Sequence, residues 1–341
     1  MPSTNTTNQD ISLPPPRPDQ VYVTISALDG GHLTLPEYLF VTDADPNKRA
    51  TVPSLSFLIQ HPSGSSGSPT RLLFDLGMKR NPEDFPPPMQ AHIRNRQPTI
   101  LHPDVGDSLR AGGLDPAEID MVILSHVHWD HVGTPADFTK AQFLAGAGTL
   151  HLLRHGAGPH YPAEIFIPDL LPEKRTQEFP PSNTPSADPE LGEVIPECVP
   201  AAQQSSHKWQ PLGPFASAID LFSDGSVYIL DSPGHMIGHV NLLARVSPSK
   251  WVYLGGDCCH DSRILSKDKD IALYDDGHGG KRSVHVHTAE ARETLRRVQK
   301  LVDGINQTAT ESGSNQKVEV VIAHDGEWRE KNGSRFFPGS L

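Results

Sequence analysis

The residues most able to do chemistry lie in one short segment, His126–His131, which reads HVHWDH. His126 and His128 are two positions apart, so on an extended segment their imidazoles project to one side and can bind one metal ion. Asp130 and His131 follow where the chain must turn, and they can face a second ion about 4 Å from the first. The segment therefore predicts part of a binuclear metal centre.

Three more candidate ligands lie further along the chain, namely His235, Asp257 and His324. Each follows an apolar run that predicts a β-strand. Glycines next to His235 and Asp257 allow tight turns and a close approach of the backbone, as a compact metal cavity requires. We therefore expect these residues to meet the HVHWDH segment where several strands end.

The series HxHxDH, then a distant His, Asp and His, resembles the metallo-β-lactamase superfamily of dinuclear hydrolases. The resemblance extends over roughly residues 21–325. Nitrogen and carboxylate ligands without thiolate suit zinc, so two zinc ions per chain are expected, and other divalent metals fit the same ligands. The resemblance implies two metal sites that share one ligand: His126, His128 and His235 at the first, Asp130, His131 and His324 at the second, and Asp257 as the bridge.

The type of residue at position 128 bears on the reaction class. A histidine there disfavours the related diiron oxidoreductases, whose motif is HxExDH, so hydrolysis is favoured over redox chemistry. Two ions would lower the pKa of a bridging water, polarise a substrate carbonyl and stabilise the tetrahedral oxyanion. Asp130 would orient the metal-bridged hydroxide or carry its proton. We expect a metal-dependent hydrolase of carboxylic esters or lactones.

The HVHWDH segment, the turn that ends at His235 and the Gly-Gly-Asp257 strand end look most like the N-acyl-homoserine-lactone lactonases. The resemblance implies a small-molecule lactone or ester as substrate. These enzymes often have a tyrosine three residues after the bridging aspartate, where it donates a hydrogen bond to the lactone carbonyl; here that position is His260. Two interpretations stay open: His260 is a catalytic donor or general acid, or it has no catalytic role and lies either behind the metal ligands or at the surface.

Two other functions are compatible with the same motif. A thioesterase that acts on acyl carriers or other thioesters would use the same metal chemistry, but no localised basic surface for an acidic carrier is evident. The second alternative is a non-catalytic module that binds a metal ion or another ligand. Structural zinc sites are normally closed and rich in cysteine, which argues against it.

The elements around the motif predict how it is positioned. The apolar run Met121–Leu124 is typical of a strand buried on both faces, and it leads directly into HVHWDH. Strands are predicted at 55–59 and 71–74 as one hairpin, at 218–222 and 227–230 as another, and at 318–323, with a helix at 288–302. This order predicts an α+β layered sandwich. The resemblance implies an αββα sandwich, with two mixed β-sheets flanked by helices.

The domain organisation is predicted from composition. Residues 1–19 are polar and rich in proline, which predicts a disordered tail, with folding from about Val21. Residues 20–341 then form a single domain. Residues 155–214 are rich in Pro, Gly and Ser without a sustained period, which predicts an irregular insertion or lid. That insertion either shapes the substrate pocket or is a passive surface excursion.

Four side chains near the motif receive separate interpretations. Asp75 follows a predicted strand and either holds a ligand imidazole or caps a turn. His239 is expected to start a strand rather than to bind metal. His285 and His287 alternate with valines and have no carboxylate nearby, which favours a surface strand or the start of a helix.

Composition limits the partners and the compartment. The formal net charge of −12 argues against nucleic acid as a partner. The three cysteines predict no disulfide framework and fit a reducing compartment. Neither a signal peptide nor a membrane-spanning run is present in the sequence, so a soluble cytoplasmic protein is expected. No sequence feature specifies an oligomeric state.

Overall fold

The computed structural model describes residues 13–62, 67–158, 161–185, 187, 199–200, 203–277, 279–312 and 316–341. The strands in these ranges are β1 (Thr24–Pro36), β2 (Arg49–His61), β3 (Thr70–Phe74), β4 (Met121–Ile123), β5 (Gln142–Ala145), β6 (Gly156–Ala157), β7 (Tyr161–Pro162), β8 (Thr176–Glu178), β9 (Gln210–Leu212), β10 (Phe215–Asp220), β11 (Val227–Asp231), β12 (Val240–Ser247), β13 (Lys250–Leu254), β14 (Tyr274–Asp275), β15 (Lys281–Arg282) and β16 (Lys317–Val321). The α-helices are α1 (Pro87–Arg94), α2 (Val105–Ala111), α3 (Thr149–His155), α4 (Ser262–Leu265), α5 (Thr288–Ser312) and α6 (Gly326–Lys331).

The first sheet has the strand order β1-β2-β3-β4-β5-β8. Its first three strands run antiparallel, and β3, β4, β5 and β8 run parallel to one another. The predicted hairpin between residues 55–59 and 71–74 is confirmed, with Phe57 opposite Phe74. The central position of β4 matches its uninterrupted apolar sequence, because both faces of a central parallel strand are covered.

The second sheet has the order β16-β13-β12-β11-β10-β9. Its strands are antiparallel except for β16, which lies parallel to β13. The predicted hairpin at 218–230 is confirmed, with Ala218 opposite Leu230. Both sheets are therefore mixed, as predicted.

Apolar side chains pack in layers on both faces of each sheet. Successive residues of a strand point to opposite faces: Ile229 belongs to the core between the two sheets, and Leu230 packs with Val298 of α5 on the outer face of the second sheet. On the outer face of the first sheet, Leu73 lies in one cluster with Ile93 of α1 and with residues of α2. This arrangement confirms the predicted αββα sandwich.

The ends of several elements differ from their predicted positions. The helix predicted at 288–302 extends to Ser312 as α5, and β1 begins at Thr24, shortly after the predicted start of folding near Val21. Upstream of β1, Leu13 is buried in the core between the second sheet and α5, and the carbonyl of Pro14 accepts a hydrogen bond from Arg245. Folded contacts thus include residues before position 20, while residues 1–12 of the predicted tail lie outside the described residues. No helix in the described ranges is both long and apolar enough to cross a membrane.

The 155–214 segment contains regular structure in the part that the structure describes. β6 pairs with β7, β8 extends the first sheet and β9 extends the second. The expectation of irregular chain is therefore wrong for this part, because strands of two or three residues leave no periodic pattern in a sequence. Residues 159–160, 186, 188–198 and 201–202 lie outside the described residues, and the assignment of the segment as an insertion or lid stays a prediction.

Candidate metal centre

The predicted ligands follow the carboxyl ends of four strands. The HVHWDH segment follows β4, and three other residues come shortly after a strand: His235 after β11, Asp257 after β13 and His324 after β16. The two sheets are joined at this edge, where the Val240 amide at the start of β12 donates to the Ser125 carbonyl over 2.9 Å. The loops after strands of both sheets therefore meet above the core.

The structure brings all seven predicted ligands together. One atom from each of His126, His128, His235 and Asp257 lies within 4.8 Å of the others in that group, and the same limit holds among Asp130, His131 and His324. These are the two groups that the family resemblance implies. We call the first the His235 group and the second the His324 group.

Asp257 stands between the two groups. Its Oδ2 atom lies 3.4 Å from His235 Nε2 and 3.8 Å from His126 Nε2. Its Oδ1 atom lies 3.3 Å from both His131 Nε2 and His324 Nε2. Each carboxylate oxygen thus faces one group, which is the geometry that a bridging ligand needs.

Within the described part of the chain, His131 Nε2 and Asp257 Oδ1 are buried atoms of the centre that have no hydrogen-bond partner. They lie 3.3 Å apart in an orientation that makes no hydrogen bond. Buried polar atoms in proteins almost always have a partner, so this pair requires an explanation. A cation between them would accept lone pairs from both, and imidazole nitrogen with carboxylate oxygen is a donor set that zinc prefers.

Contacts outside the centre hold the imidazoles in the required orientation. Asp75 Oδ2 lies 2.9 Å from His131 Nδ1 and accepts a hydrogen bond from Ser125 Oγ over 2.7 Å. His324 Nδ1 lies 2.8 Å from the Pro53 carbonyl. Each of these oxygens can only accept, so Nδ1 carries the proton and the lone pair of Nε2 points inward. The structure supports the first interpretation of Asp75, which has the unusual φ of +62° for a residue with a side chain.

Burial sets the charge of the histidines in the His235 group. It lowers the pKa of His126 and His235 well below the ordinary value, and it lowers the pKa of His128 to about 3. These imidazoles are therefore neutral at physiological pH. The neutral form is the one that binds a metal ion.

The His324 group has the opposite electrostatic character. Burial disfavours the charged imidazole of His131, but Asp257 and Asp75 outweigh it and raise its pKa well above the ordinary value. The same balance, dominated by Asp257, raises the pKa of His324. Burial opposes ionisation of Asp257, but His131 and His324 keep its pKa well below the usual range. Asp257 is therefore ionised, and positive charge close to its carboxylate stabilises this form.

His260 lies inside the site. Its side chain is 7% exposed, and its Nε2 atom lies 3.1 Å from Asp257 Oδ2. Its ring packs against Phe40 with 4.7 Å between centroids. The alternative in which His260 lies at the surface is therefore wrong, and its catalytic role stays a proposal.

His285 is a site residue that the sequence interpretation missed. It is 3% exposed, and its Nδ1 atom lies 3.2 Å from His235 Nδ1, so the alternative of a surface strand is wrong. The other alternative, the start of a helix, agrees with α5, which begins at Thr288. The backbone amides of Val286 and His287 donate to the carbonyls of His235 and Gly234, and this long-range pairing brings the loop into the site. The valines on both sides of His285 were the available signal, because they indicate burial.

Gly234 makes this approach possible. It has a φ of +123°, and a Cβ atom there would lie 2.1 Å from the Ala291 backbone nitrogen of α5. Only glycine fits a position with this backbone conformation and this little space. Gly234 therefore lets α5 and the loop before it pack directly on the turn that carries His235.

His239 contacts the backbone of Asp257. It immediately precedes β12, as predicted, and its Nδ1 lies 3.0 Å from the Ser232 carbonyl. Its Nε2 accepts a hydrogen bond from the Asp257 amide over 3.3 Å. Both ring nitrogens are thus engaged outside the two metal groups. The neighbouring Cys258 and Cys259 are free and buried.

A cavity of about 540 Å³ opens onto the centre. Asp130, Asp257 and His260 lie in its lining. Apolar side chains form much of the remaining wall, and Tyr161 and Ile165 come from the 155–214 segment. The cavity has the size and mixed polarity of a small-molecule site.

The family model of the metallo-β-lactamase superfamily matches residues 52–303, which include the HVHWDH segment, His235 and Asp257. The chain belongs to the metallo-β-lactamase superfamily. This membership confirms the resemblance seen in the motif. It also supports the predicted class of enzyme, a metal-dependent hydrolase.

Individual relatives in this superfamily carry different names. Cytochrome P450 monooxygenase mpaDE′ of Penicillium brevicompactum is 32% identical over 278 residues, which are 78% of this chain and 29% of that protein. Gamma-lactamase MBL2 of Gibberella moniliformis is 32% identical over 192 residues, 55% of this chain and 70% of that protein. The chain thus spans less than a third of the length of the first relative, and the name of that relative belongs to the whole, longer protein.

A solved structure shares the fold of this chain. It is the B. thuringiensis AiiA mutant with N-decanoyl-L-homoserine bound at the active site. The TM-score is 0.59 at 16% sequence identity, over 94% of this chain and all of that chain. The likeness extends over nearly the whole αββα sandwich.

Proposed function

We propose that this superfamily member binds two divalent metal ions, zinc in the first instance, and hydrolyses the ring of a lactone. The observation that carries the proposal is the position of Asp257, whose two oxygens face two separate groups of ligands at the base of a cavity. A structural zinc site would instead be closed and built around one ion.

The ligands would divide between the ions according to their positions. Asp257 would contact both ions, and the remaining ligands would be His126, His128 and His235 at one ion and Asp130, His131 and His324 at the other. When bound, two ions supply a nucleophile from water at neutral pH and stabilise negative charge on the substrate carbonyl.

Two side chains of the cavity would act on the substrate or its attacking water. Asp130 Oδ2 lies 3.6 Å from His324 Nε2, so this oxygen of its carboxylate is close to another ligand of the His324 group. The carboxylate would orient the attacking water and accept its proton. His260, beside Asp257, would donate a hydrogen bond to the carbonyl oxygen or protonate the leaving oxygen.

We favour a lactone over a carrier-bound thioester because a cavity of about 540 Å³ suits a small molecule. A lactone with an apolar substituent would place its carbonyl at the centre and its substituent along the apolar wall. The solved structure with N-decanoyl-L-homoserine holds the ring-opened form of such a lactone. A γ-lactam is the second candidate, because a relative 32% identical to this chain is named a gamma-lactamase.

The test is a substrate screen with the zinc-loaded protein. The panel contains γ- and δ-lactones, γ-lactams, β-lactams, aliphatic thioesters and phosphodiesters, compared by kcat/KM. We expect lactones to have the highest values and thioesters to be weaker. Preference for a thioester or a phosphodiester would overturn the proposal. Tight zinc binding without turnover of any member would indicate the non-catalytic module instead.

A further inference from the structure

We propose that the natural substrate carries a carboxylate, and that Arg96 binds it in the wall of the active-site cavity. This inference rests on the proposed function and names the substrate class within it. The substrate would be a lactone with an apolar body and an acidic substituent. Arg96 would determine specificity and would take no part in bond cleavage.

The backbone around Arg96 fixes its position next to the cavity wall. Arg96 lies two residues after α1, and its amide donates to the Ile93 carbonyl over 2.9 Å. Its own carbonyl accepts from the Thr34 amide of β1, also over 2.9 Å. Leu33 and Leu35, the neighbours of Thr34 in β1, line the same cavity as Arg96. The guanidinium is therefore presented from a segment that is held on both sides.

Arg96 has no ionic partner among the residues that the structure describes. Other arginines of the chain do pair, for example Arg80 with Asp137 at 2.8 Å and Arg263 with Asp261 at 2.6 Å. Burial lowers the pKa of Arg96, and the negative charge of Asp130 is the main opposing influence. A guanidinium remains charged in proteins, so Arg96 is a half-buried cation without a counter-charge in contact.

The charges of the cavity lining also favour an anionic ligand. The carboxylates in the described lining are Asp130 and Asp257, and the proposed function assigns both to metal ions. The remaining full charges there are Arg96 and Arg282, whose guanidinium lies 5.1 Å from the Tyr274 ring centroid. Arg96 is thus a positive charge in this lining that no carboxylate of the described residues offsets within ion-pair distance, although the whole chain has a formal net charge of −12.

The geometry of arginine favours a carboxylate in particular. Its planar guanidinium donates two parallel hydrogen bonds to the two oxygens of a carboxylate. The apolar wall formed by residues such as Leu33, Leu35 and Phe40 would contact the body of the same substrate. A neutral substrate would fill the cavity but leave the Arg96 guanidinium desolvated and unpaired, which is unfavourable.

Matched substrates test the inference. They are γ-lactones with ω-carboxyalkyl chains of graded length, each paired with its primary carboxamide, and the readout is the acid-to-amide ratio of kcat/KM in zinc-loaded protein. We expect at least one chain length for which the wild type prefers the acid by about tenfold, and loss of that preference in Arg96→Met, because a paired charge contributes about 1.4 kcal/mol or more. Arg96→Lys should retain part of the preference.

Arg292→Met is the matched control, since Arg292 is an exposed arginine of α5 that pairs with Asp270. It should leave the acid-to-amide ratio at the wild-type value. Absence of an acid preference in the wild type at every chain length would overturn the inference. An Arg96→Met variant that keeps the wild-type acid-to-amide ratio would also overturn the inference. This includes a variant in which kcat/KM falls equally for acids and amides.

A binding measurement separates this inference from the proposed function. Cyclopentanones with the same carboxylate or carboxamide chains cannot be hydrolysed, and their dissociation constants can be measured by calorimetry. Tighter binding of the acid by the wild type, and not by Arg96→Met or Arg96→Gln, would support the carboxylate site even if no lactone is turned over. Lactone turnover with equal binding of the acid and the amide probes would reject Arg96 as a carboxylate-binding residue. The proposed function would remain intact.

Discussion

The Nδ1 atoms of His235 and His285 lie 3.2 Å apart in the buried interior. Two imidazole nitrogens at this distance share one proton. If His235 uses Nε2 to bind a metal ion, its Nδ1 carries that proton and His285 is the acceptor. Burial lowers the pKa of His285 well below its ordinary value, so it is neutral and has a lone pair to offer. His285 is thereby a positioning residue for His235.

Replacement of this acceptor should weaken metal binding. We expect His285→Phe to reduce zinc affinity by about 10- to 100-fold, as is typical when the outer partner of a ligand histidine is lost. His285→Gln keeps an acceptor and should lose less. Affinity is measured by competition with a chromogenic chelator, with His102→Gln as the control because His102 is exposed and pairs with Asp107. Unchanged affinity in His285→Phe would show that the contact does not orient His235.

Removal of charge from the bridging residue should affect both metal sites. In Asp257→Asn we expect the metal content to fall from about two ions per chain towards zero, because each carboxylate oxygen faces one ligand group. The measurement is elemental analysis after dialysis against a weak chelator. Asp303→Asn, on the exposed face of α5, controls for loss of one carboxylate. Retention of one tightly bound ion would mean that Asp257 serves a single site.

His260 should matter for turnover more than for metal content. We expect His260→Ala to lower kcat for a lactone by about 100-fold, as for loss of one hydrogen-bond donor to a developing oxyanion. His260→Tyr should recover part of the rate, because a phenol can donate to the same carbonyl. Metal analysis of both variants is the accompanying control. Loss of an ion together with activity would identify His260 as a ligand.

Glu319 should contribute stability that depends on pH. Its oxygens accept from Arg335 at 2.5 and 2.6 Å and from Trp328 Nε1 at 2.9 Å. Burial opposes its ionisation, but these donors and Lys250 lower the pKa of Glu319 to about 2. A lowered carboxyl pKa means that the stabilisation is complete above the unfolded pKa of about 4.5 and is lost as the pH falls towards 2.

The variant that tests this is Glu319→Gln. Because Glu319 is partly exposed, we expect it to reduce the free energy of unfolding at pH 7 by only about 1 kcal/mol. The difference from wild type should shrink between pH 5 and about 3. Urea unfolding of the metal-free protein avoids interference from metal release. Glu327→Gln, at a fully exposed pair with Lys331, is the control. A difference that stays constant over this pH range would contradict the assignment.

The clustering of the seven candidate ligands could be predicted from sequence because their signal is local and their order is diagnostic. HVHWDH is contiguous, and Asp257 and His324 directly follow apolar strands whose ends the sequence marks clearly. Strands longer than four residues, such as β2 and β11, contain apolar, β-branched and aromatic runs next to turn residues, which is the signal that predicts a strand. The αββα layering followed from the order of these elements and the family resemblance.

His285 and Arg96 could not be predicted because their roles depend on contacts between distant segments. His285 is 50 residues from His235, and backbone pairing of two loops sets their contact. Arg96 is distinguished because no carboxylate of the described ranges lies in contact with it, which no local pattern reveals. Strands of two or three residues, such as β7 with Tyr161, likewise depend on tertiary packing.

Zinc titration of the metal-free protein, with hydrolysis of a γ-lactone followed at each addition, tests the central claim most directly. The claim is that two ions held in one centre support ring opening. The predicted result is activity that rises until two equivalents of zinc per chain are bound and then stays constant. Full activity at one equivalent, or no lactone hydrolysis with two ions bound, would contradict it.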